Sequence, residues 1–116
     1  MKKINILKNS RDFDRIIKGN KPYKFKDYII YIERNTNDLY KFVLSLGKKI
    51  GNAVKRNKVK RQLKSIIDKK DYQNNFNCII IVGKGINERT FEEREKNLFI
   101  ALNNLDIIKE KQNEKK

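Results

Sequence analysis

The chain holds 116 residues in 13.9 kDa, room for one domain at ~100–200 residues each, and its 38% hydrophobic content allows only a thin core. Its 29 Lys and Arg against 14 Asp and Glu leave a formal charge of +15, which makes a polyanion the first partner to consider. With no histidine, Ser-His-Asp and Cys-His catalysis, histidine general bases and His-ligated metals are excluded.

Met1 to Lys8 lacks the apolar centre of a signal peptide, and no apolar stretch approaches the ~20 residues of a membrane span. The single cysteine, Cys78, cannot form an internal disulfide, so a cytoplasmic protein is expected. A first helix is predicted from about Ser10 to Lys18, with Phe13, Ile16 and Ile17 on one face. Ser10 is its expected N-cap, Asp12 and Asp14 suit the positive end of its dipole, and Gly19 can supply a left-handed stop. Gly19 to Lys26, with the only proline, Pro22, reads equally as a loop or a short edge strand.

The β-branched and aromatic run Tyr28 to Ile32 predicts a strand. The polar turn Asn35 to Asp38 then predicts a hairpin into a second strand, Tyr40 to Leu46, closed by Gly47. Helical spacing returns between Ile50 and Lys70, where Val59, Leu63, Ile66 and Ile67 form a stripe on a helix beginning near Ala53. After the polar linker Asp71 to Asn77, the unbroken apolar run Cys78 to Val82 predicts a strand buried on both faces, ended by Gly83 and Gly85. A capping box of Thr90 and Glu93 starts the last helix, whose buried face is read as Phe91, Leu98, Ala101, Leu102, Leu105 and Ile108. Residues 1–108 are thus expected to form one α+β domain, a two-layer sandwich with a sheet of three to four strands in the order α-β-β-(β)-α-β-α. Residues 109–116 are expected to be a charged, disordered tail.

The composition of 22 Lys, 7 Arg, 15 Asn and 17 Ile looks like an AT-biased genome, so clustering of charge counts for more than its total. Between Asp38 and Asp68 there is no acidic residue, yet Lys41, Lys48, Lys49, Lys55, Arg56, Lys58, Lys60, Arg61 and Lys64 fall there. With Val59, Leu63 and Ile66 inward, Asn57, Lys58, Arg61 and Lys64 point outward and Lys60 lies at the edge. A solvated helix face ordinarily mixes signs, because Glu to Lys pairs at i, i+4 contribute ~0.2–0.5 kcal/mol each, and this helix has none before Asp68. Gly51 and Asn52 are expected to leave backbone amides open at the helix N-terminus beside Lys48, Lys49 and Arg56, a setting that favours phosphate.

The run KKIGNAVKRNKVKRQLK, from Lys48 to Lys64, resembles the signature motif of the bacterial ribonuclease P protein subunit. NSRDFDRIIK is similar to that family's first helix, DYIIYIE to its early strand, NCIIIVGK to its last strand and Thr90 to Ile108 to its final helix. The resemblance implies a protein that is not itself the catalyst. An RNA subunit hydrolyses precursor tRNA at the mature 5′ end, and the protein binds that RNA and the 5′ leader of the substrate. It implies no catalytic residue, no protein-bound metal, magnesium held mainly by the RNA, no small-molecule cofactor and no membrane partner.

Carried over residue by residue, the resemblance assigns RNA binding to Lys48, Lys49, Asn52, Arg56, Asn57, Lys58, Lys60 and Arg61, and the basic ridge adds Lys64. Lys58 stands where the family usually has arginine, which exchanges a planar fork for a point charge. Phe13 and Tyr31 match aromatic positions lining a leader cleft, and Ile17 takes a place in that cleft that is often aromatic. From the residues alone, Phe13 reads as core, and either face of the Tyr28 to Ile32 strand can be the covered one. The resemblance also implies a left-handed strand-helix-strand crossover, where general rules favour right-handed. A ribosomal protein or general RNA chaperone is the alternative function, and a stand-alone Asp/Glu magnesium nuclease a remoter one.

Overall fold

In the computed structural model, which describes residues 5–7, 9–36 and 38–109, four strands form one mixed sheet in the order β1-β2-β4-β3. The strands are β1 (Tyr23–Phe25), β2 (Tyr28–Arg34), β3 (Tyr40–Leu46) and β4 (Phe76–Val82), and the helices are α1 (Ser10–Gly19), α2 (Ala53–Ile67) and α3 (Phe91–Asn104). The 3₁₀ turns Lys48–Ile50 and Lys84–Glu88 follow β3 and β4. The element order is the expected α-β-β-β-α-β-α, with the undecided Pro22 segment resolved as edge strand β1.

The expected hairpin between the second and third strands is absent. β4 lies between them, antiparallel to β2 and parallel to β3, with Ile80 opposite both Ile30 and Leu44. Its unbroken apolar run is the physical reason, since a strand buried on both faces belongs at the centre, and Phe76, Cys78, Ile79 and Ile80 are all inaccessible. The link from β3 through α2 to β4 is therefore the parallel crossover of the sheet.

The two sheet faces are covered unequally. Tyr28, Ile30, Phe42, Leu44, Phe76, Cys78, Ile80 and Val82 pack with Val59, Leu63, Ile66 and Ile67 of α2 and Leu98, Ala101 and Leu102 of α3 in the main core. On the other face Ile79 packs with Ile16 of α1 and Leu7, and around this small cluster Phe13, Ile17, Tyr31, Val43 and Ile81 stay half-buried.

Several ends differ from expectation. Asn9, not Ser10, caps α1, its Oδ1 accepting the Arg11 amide at 2.9 Å. Gly19 is not a left-handed stop; α1 ends as extended Asn20 folds back and its Nδ2 donates to the Ile16 carbonyl at 2.9 Å. α2 stops at Ile67 with Asp68 as its cap, and the following linker is not wholly polar, because Tyr72 is buried and donates its hydroxyl to the Ile67 carbonyl at 2.7 Å. The Thr90–Glu93 capping box forms as expected. The buried face read for α3 changes at both ends: Phe91 is exposed, Ile108 lies past the helix in a bridge to Tyr72, and Ile107 is the buried residue there. Asp106, at φ 59°, makes that turn away from the helix. Of the tail read as disordered, only Lys109 falls within the described residues, its amide donating to the Asp71 carbonyl at 2.8 Å.

Asp27, in the turn between β1 and β2, ties that hairpin to the turn after β4. Its carbonyl accepts the Gly83 amide at 2.8 Å and its carboxylate the Arg89 Nε at 2.8 Å. A Cβ at Gly85 would lie 2.2 Å from Asp27 Oδ1, so any larger residue there would displace the carboxylate that holds Arg89.

Candidate nucleic-acid interface

The segment from Lys48 to Lys64 leaves the C-terminal end of β3, turns once and becomes α2. Gly51 makes the corner at φ 149° and ψ −167°, backbone that is essentially glycine-only, with its amide donating to the Lys48 carbonyl at 3.1 Å. That amide is therefore not open to a phosphate, contrary to the sequence expectation. Asn52 is the N-cap of α2, its Oδ1 accepting the Lys55 amide at 2.9 Å, so the first turn satisfies a donor from within the chain. No acidic residue stands in that turn to offset the dipole.

The cations divide into two groups. Lys48, Lys49, Lys58 and Arg61 are exposed, as are Asn52 and Asn57. Lys60 and Lys64 are half-buried and turned toward β3, so Lys64 does not point straight outward as its wheel position suggested. Arg56 is half-buried too, its Nη1 donating to the Gly51 carbonyl at 2.8 Å, which orients the guanidinium beside the corner. Among the described residues no ion pair engages any of these cations; the pairs formed involve Arg15, Lys69 and Arg89. A row of cations that forms no ion pair among the described residues is a setting that favours an external polyanion. Val54, 77% exposed, lies on the same helix face as Asn57 and Arg61 and leaves apolar contact area among the charges.

Lys60 stands where three hollows meet. One runs along the helix by Val54, Asn57, Arg61 and Lys64, and another lies against Leu44, Ser45 and Leu46 with Arg56 and Asn57. In the third, Lys60 and Lys64 face Ile6, Leu7, Phe42, Val43 and Leu44. Among the described residues the β3 edge is covered near its start, where Ile6 bridges Phe42 and the Leu7 amide donates to the Phe42 carbonyl at 3.0 Å. Leu7 and Val43 also belong to the small cluster under α1. The hollow beneath Lys60 and Lys64 thus adjoins, through Leu7 and Val43, the half-covered face that holds Phe13, Ile17 and Tyr31.

The structure brings those three together around Ile16 and Ile79. Phe13 is neither wholly core nor free: it packs on the cluster and keeps part of its ring accessible. Tyr31 lies opposite Ile79 in β4, and the next row, Ile29, Ile81 and Ser45, extends the open strip. Sequence reasoning missed what holds α1 over this strip. Arg15 bonds both oxygens of Glu33, and Asn77, 7% exposed, donates from Nδ2 to Glu33 Oε1 at 3.0 Å. The Arg15 guanidinium holds the Glu33 carboxyl below its ordinary range, with the Asn77 bond a lesser cause. Nothing local to either residue signals this pair, since 18 positions separate them.

Among the described residues no group of three or more Cys, Asp or Glu side chains is arranged to hold a metal ion, and no helix is long and apolar enough to cross a membrane. Cys78 is fully buried in β4, and burial pushes its thiol well above the usual range, which suits a small core residue.

Fold and charge together define a small basic α+β protein whose crossover helix faces outward with cations that form no ion pair among the described residues. The family model for ribonuclease P matches residues 1–106, and the chain belongs to that family. It is 34% identical over 103 residues to the ribonuclease P protein component of Streptococcus pyogenes, a match covering 88% of this chain and 87% of that one. Its fold is similar to the RNase P protein of Staphylococcus aureus, with a TM-score of 0.82 at 25% identity, covering 90% of this chain and 98% of that one. The RNase P protein from Thermotoga maritima is similar in fold at a TM-score of 0.76 and 23% identity, covering 85% and 96%.

Proposed function

We propose that this protein acts as the RNA-binding partner of a catalytic RNA in the 5′ maturation of tRNA. Lys48, Lys49, Asn52, Arg56, Asn57, Lys58, Lys60, Arg61 and Lys64 bind the ribonuclease P RNA through its phosphates, where each neutralised phosphate releases counterions. Phe13, Ile17 and Tyr31 receive the 5′ leader of the precursor, the two aromatic rings offering faces on which any base can stack. Phosphodiester hydrolysis belongs to the RNA, which also holds most of the magnesium; the particle works in the cytoplasm.

The observation that carries this reading is that the two regions adjoin at the β3 edge. Lys60 and Lys64 share Leu7 and Val43 with the cluster beneath Phe13 and Tyr31, so one polyanion can cross from the helix to the cleft over the β3 edge. Cleavage of a 5′-extended precursor tRNA at moderate magnesium tests it, with catalytic RNA alone, protein alone, and both. Efficient cutting at the mature 5′ end only with both supports the proposal. Protein that adds nothing to the RNA moves the function to ribosomal or chaperone-type RNA binding, and cutting by protein alone revives a stand-alone nuclease.

A further inference from the structure

Behind the cationic face runs a set of polar contacts that no phosphate role requires. Arg94 on α3 points inward and spends its guanidinium on the protein, with Nε and Nη2 donating to the Ile86 carbonyl at 3.2 and 3.0 Å and Nη1 donating to Gln62 Oε1 on α2. Ile86 itself is fully buried. The next residue, Asn87, reaches the other way and donates from Nδ2 to the Ile50 carbonyl at 3.0 Å. Ile50, 3% exposed, is the last residue of the turn that displays Lys48 and Lys49 and the one before the Gly51 corner.

These bonds close a circuit: α2 to α3 through Gln62 and Arg94, α3 to the Lys84–Glu88 turn through Ile86, and that turn to the Lys48–Ile50 turn through Asn87. Inside the Lys48–Ile50 segment the bonds are local, Ile50 amide to Gly47 carbonyl and Gly51 amide to Lys48 carbonyl, both 3.1 Å. They shape the turn without fixing where it sits. The Asn87 bond comes from outside the segment, and Asn87 Oδ1 is buried with no partner among the described residues. An acceptor left unmet costs free energy, so the orientation of this amide is set by its donor side, at Ile50.

We propose that Asn87 and Arg94 are positioning residues for RNA binding, acting through Lys48 and Lys49, which they hold at a fixed place beside the N-terminus of α2. The inference rests on the reading of those lysines as RNA contacts. A braced turn presents its two charges already ordered, whereas a free turn must be ordered when the RNA arrives, and that cost subtracts from affinity.

A double-mutant cycle on full-length protein binding a labelled ribonuclease P RNA transcript separates positioning from general loss of structure. Asn87→Leu removes the bond to Ile50 and is expected to weaken binding roughly tenfold, the scale of a single hydrogen bond. Arg94→Lys is expected to act in the same direction, because an ammonium cannot reproduce the planar fork on Ile86 and Gln62. The deciding readout is the background. In Lys48→Ala/Lys49→Ala protein the effect of Asn87→Leu disappears, while in Lys64→Ala protein it persists in full. The same loss in every background, or no loss in the wild-type background, overturns the proposal. If Lys48→Ala/Lys49→Ala alone leaves binding intact, the assignment of these lysines fails and the brace falls with it, an outcome told apart by that variant alone. Should Asn87→Leu not fold, Asn87→Ser replaces it in the same cycle.

Discussion

Arg15 on α1 grips Glu33 on β2 at two points, Nε to Oε2 at 3.0 Å and Nη2 to Oε1 at 2.7 Å, and this fork fastens the helix over the half-covered face of the sheet. Because Arg15 lowers the Glu33 carboxyl below its ordinary value of 4.5, the pair stabilises the fold above that pH. The contribution is lost as pH falls through the depressed folded value. Thermal melts between pH 7 and pH 3 should therefore show a steeper acid loss for wild type than for Glu33→Gln, which begins less stable at pH 7. Parallel profiles would show that the fork contributes nothing.

Gly51 stands where other residues are strained, at φ 149°, and an added Cβ would also come within 2.8 Å of the Lys55 side chain. The side chain can move, but the backbone cannot. Gly51→Ala should destabilise by ~1–3 kcal/mol, the cost of a sparsely populated conformation, and weaken RNA binding by shifting the start of α2. Denaturant titration beside RNA-binding curves checks both; unchanged stability would show that the corner relaxes freely.

Arg61 is exposed and bonds no acid among the described residues, so its loss should cost binding rather than folding. Arg61→Ala should flatten the plot of log affinity against log salt by ~0.7–0.9 for each phosphate that the protein no longer neutralises, while melting is unchanged. Arg56→Ala should flatten it likewise and also lower stability, since Arg56 holds the Gly51 carbonyl. An unaltered slope in both variants would mean that neither arginine meets a phosphate.

Tyr31→Ala should weaken binding of precursor tRNA by ~1–3 kcal/mol, the scale of one stacked base, and leave leaderless tRNA unaffected. Because Tyr31 is half-buried against the Ile79 cluster, equal losses for both RNAs would indicate a packing defect instead.

What the sequence makes legible follows from how local each signal is. The Val59, Leu63, Ile66 and Ile67 stripe, the Thr90–Glu93 box and the apolar run of β4 each depend on a few neighbouring residues, and all three are present in the structure. The order of strands is not local. The Asn35 to Asp38 turn signals a reversal, which occurs, but not which strand the returning chain will lie beside. Burial of β4 carried that information, since a strand apolar on both faces competes for the central position. The grouping of Phe13, Ile17 and Tyr31 is reached only through the family resemblance, since by spacing alone Phe13 reads as core, whereas Arg15, Glu33, Asn87 and Arg94 act across long separations that no spacing rule reaches.

The central place of β4 also sets the order in which the molecule can assemble. β3 borders no other strand of the sheet, and β2 has only the short β1 beside it, until Phe76–Val82 exists to join them. A chain growing on the ribosome therefore exposes the whole of α2 before the sheet that α2 packs against can close. Closing the sheet through such distant pairings is the slow step expected of non-local topology.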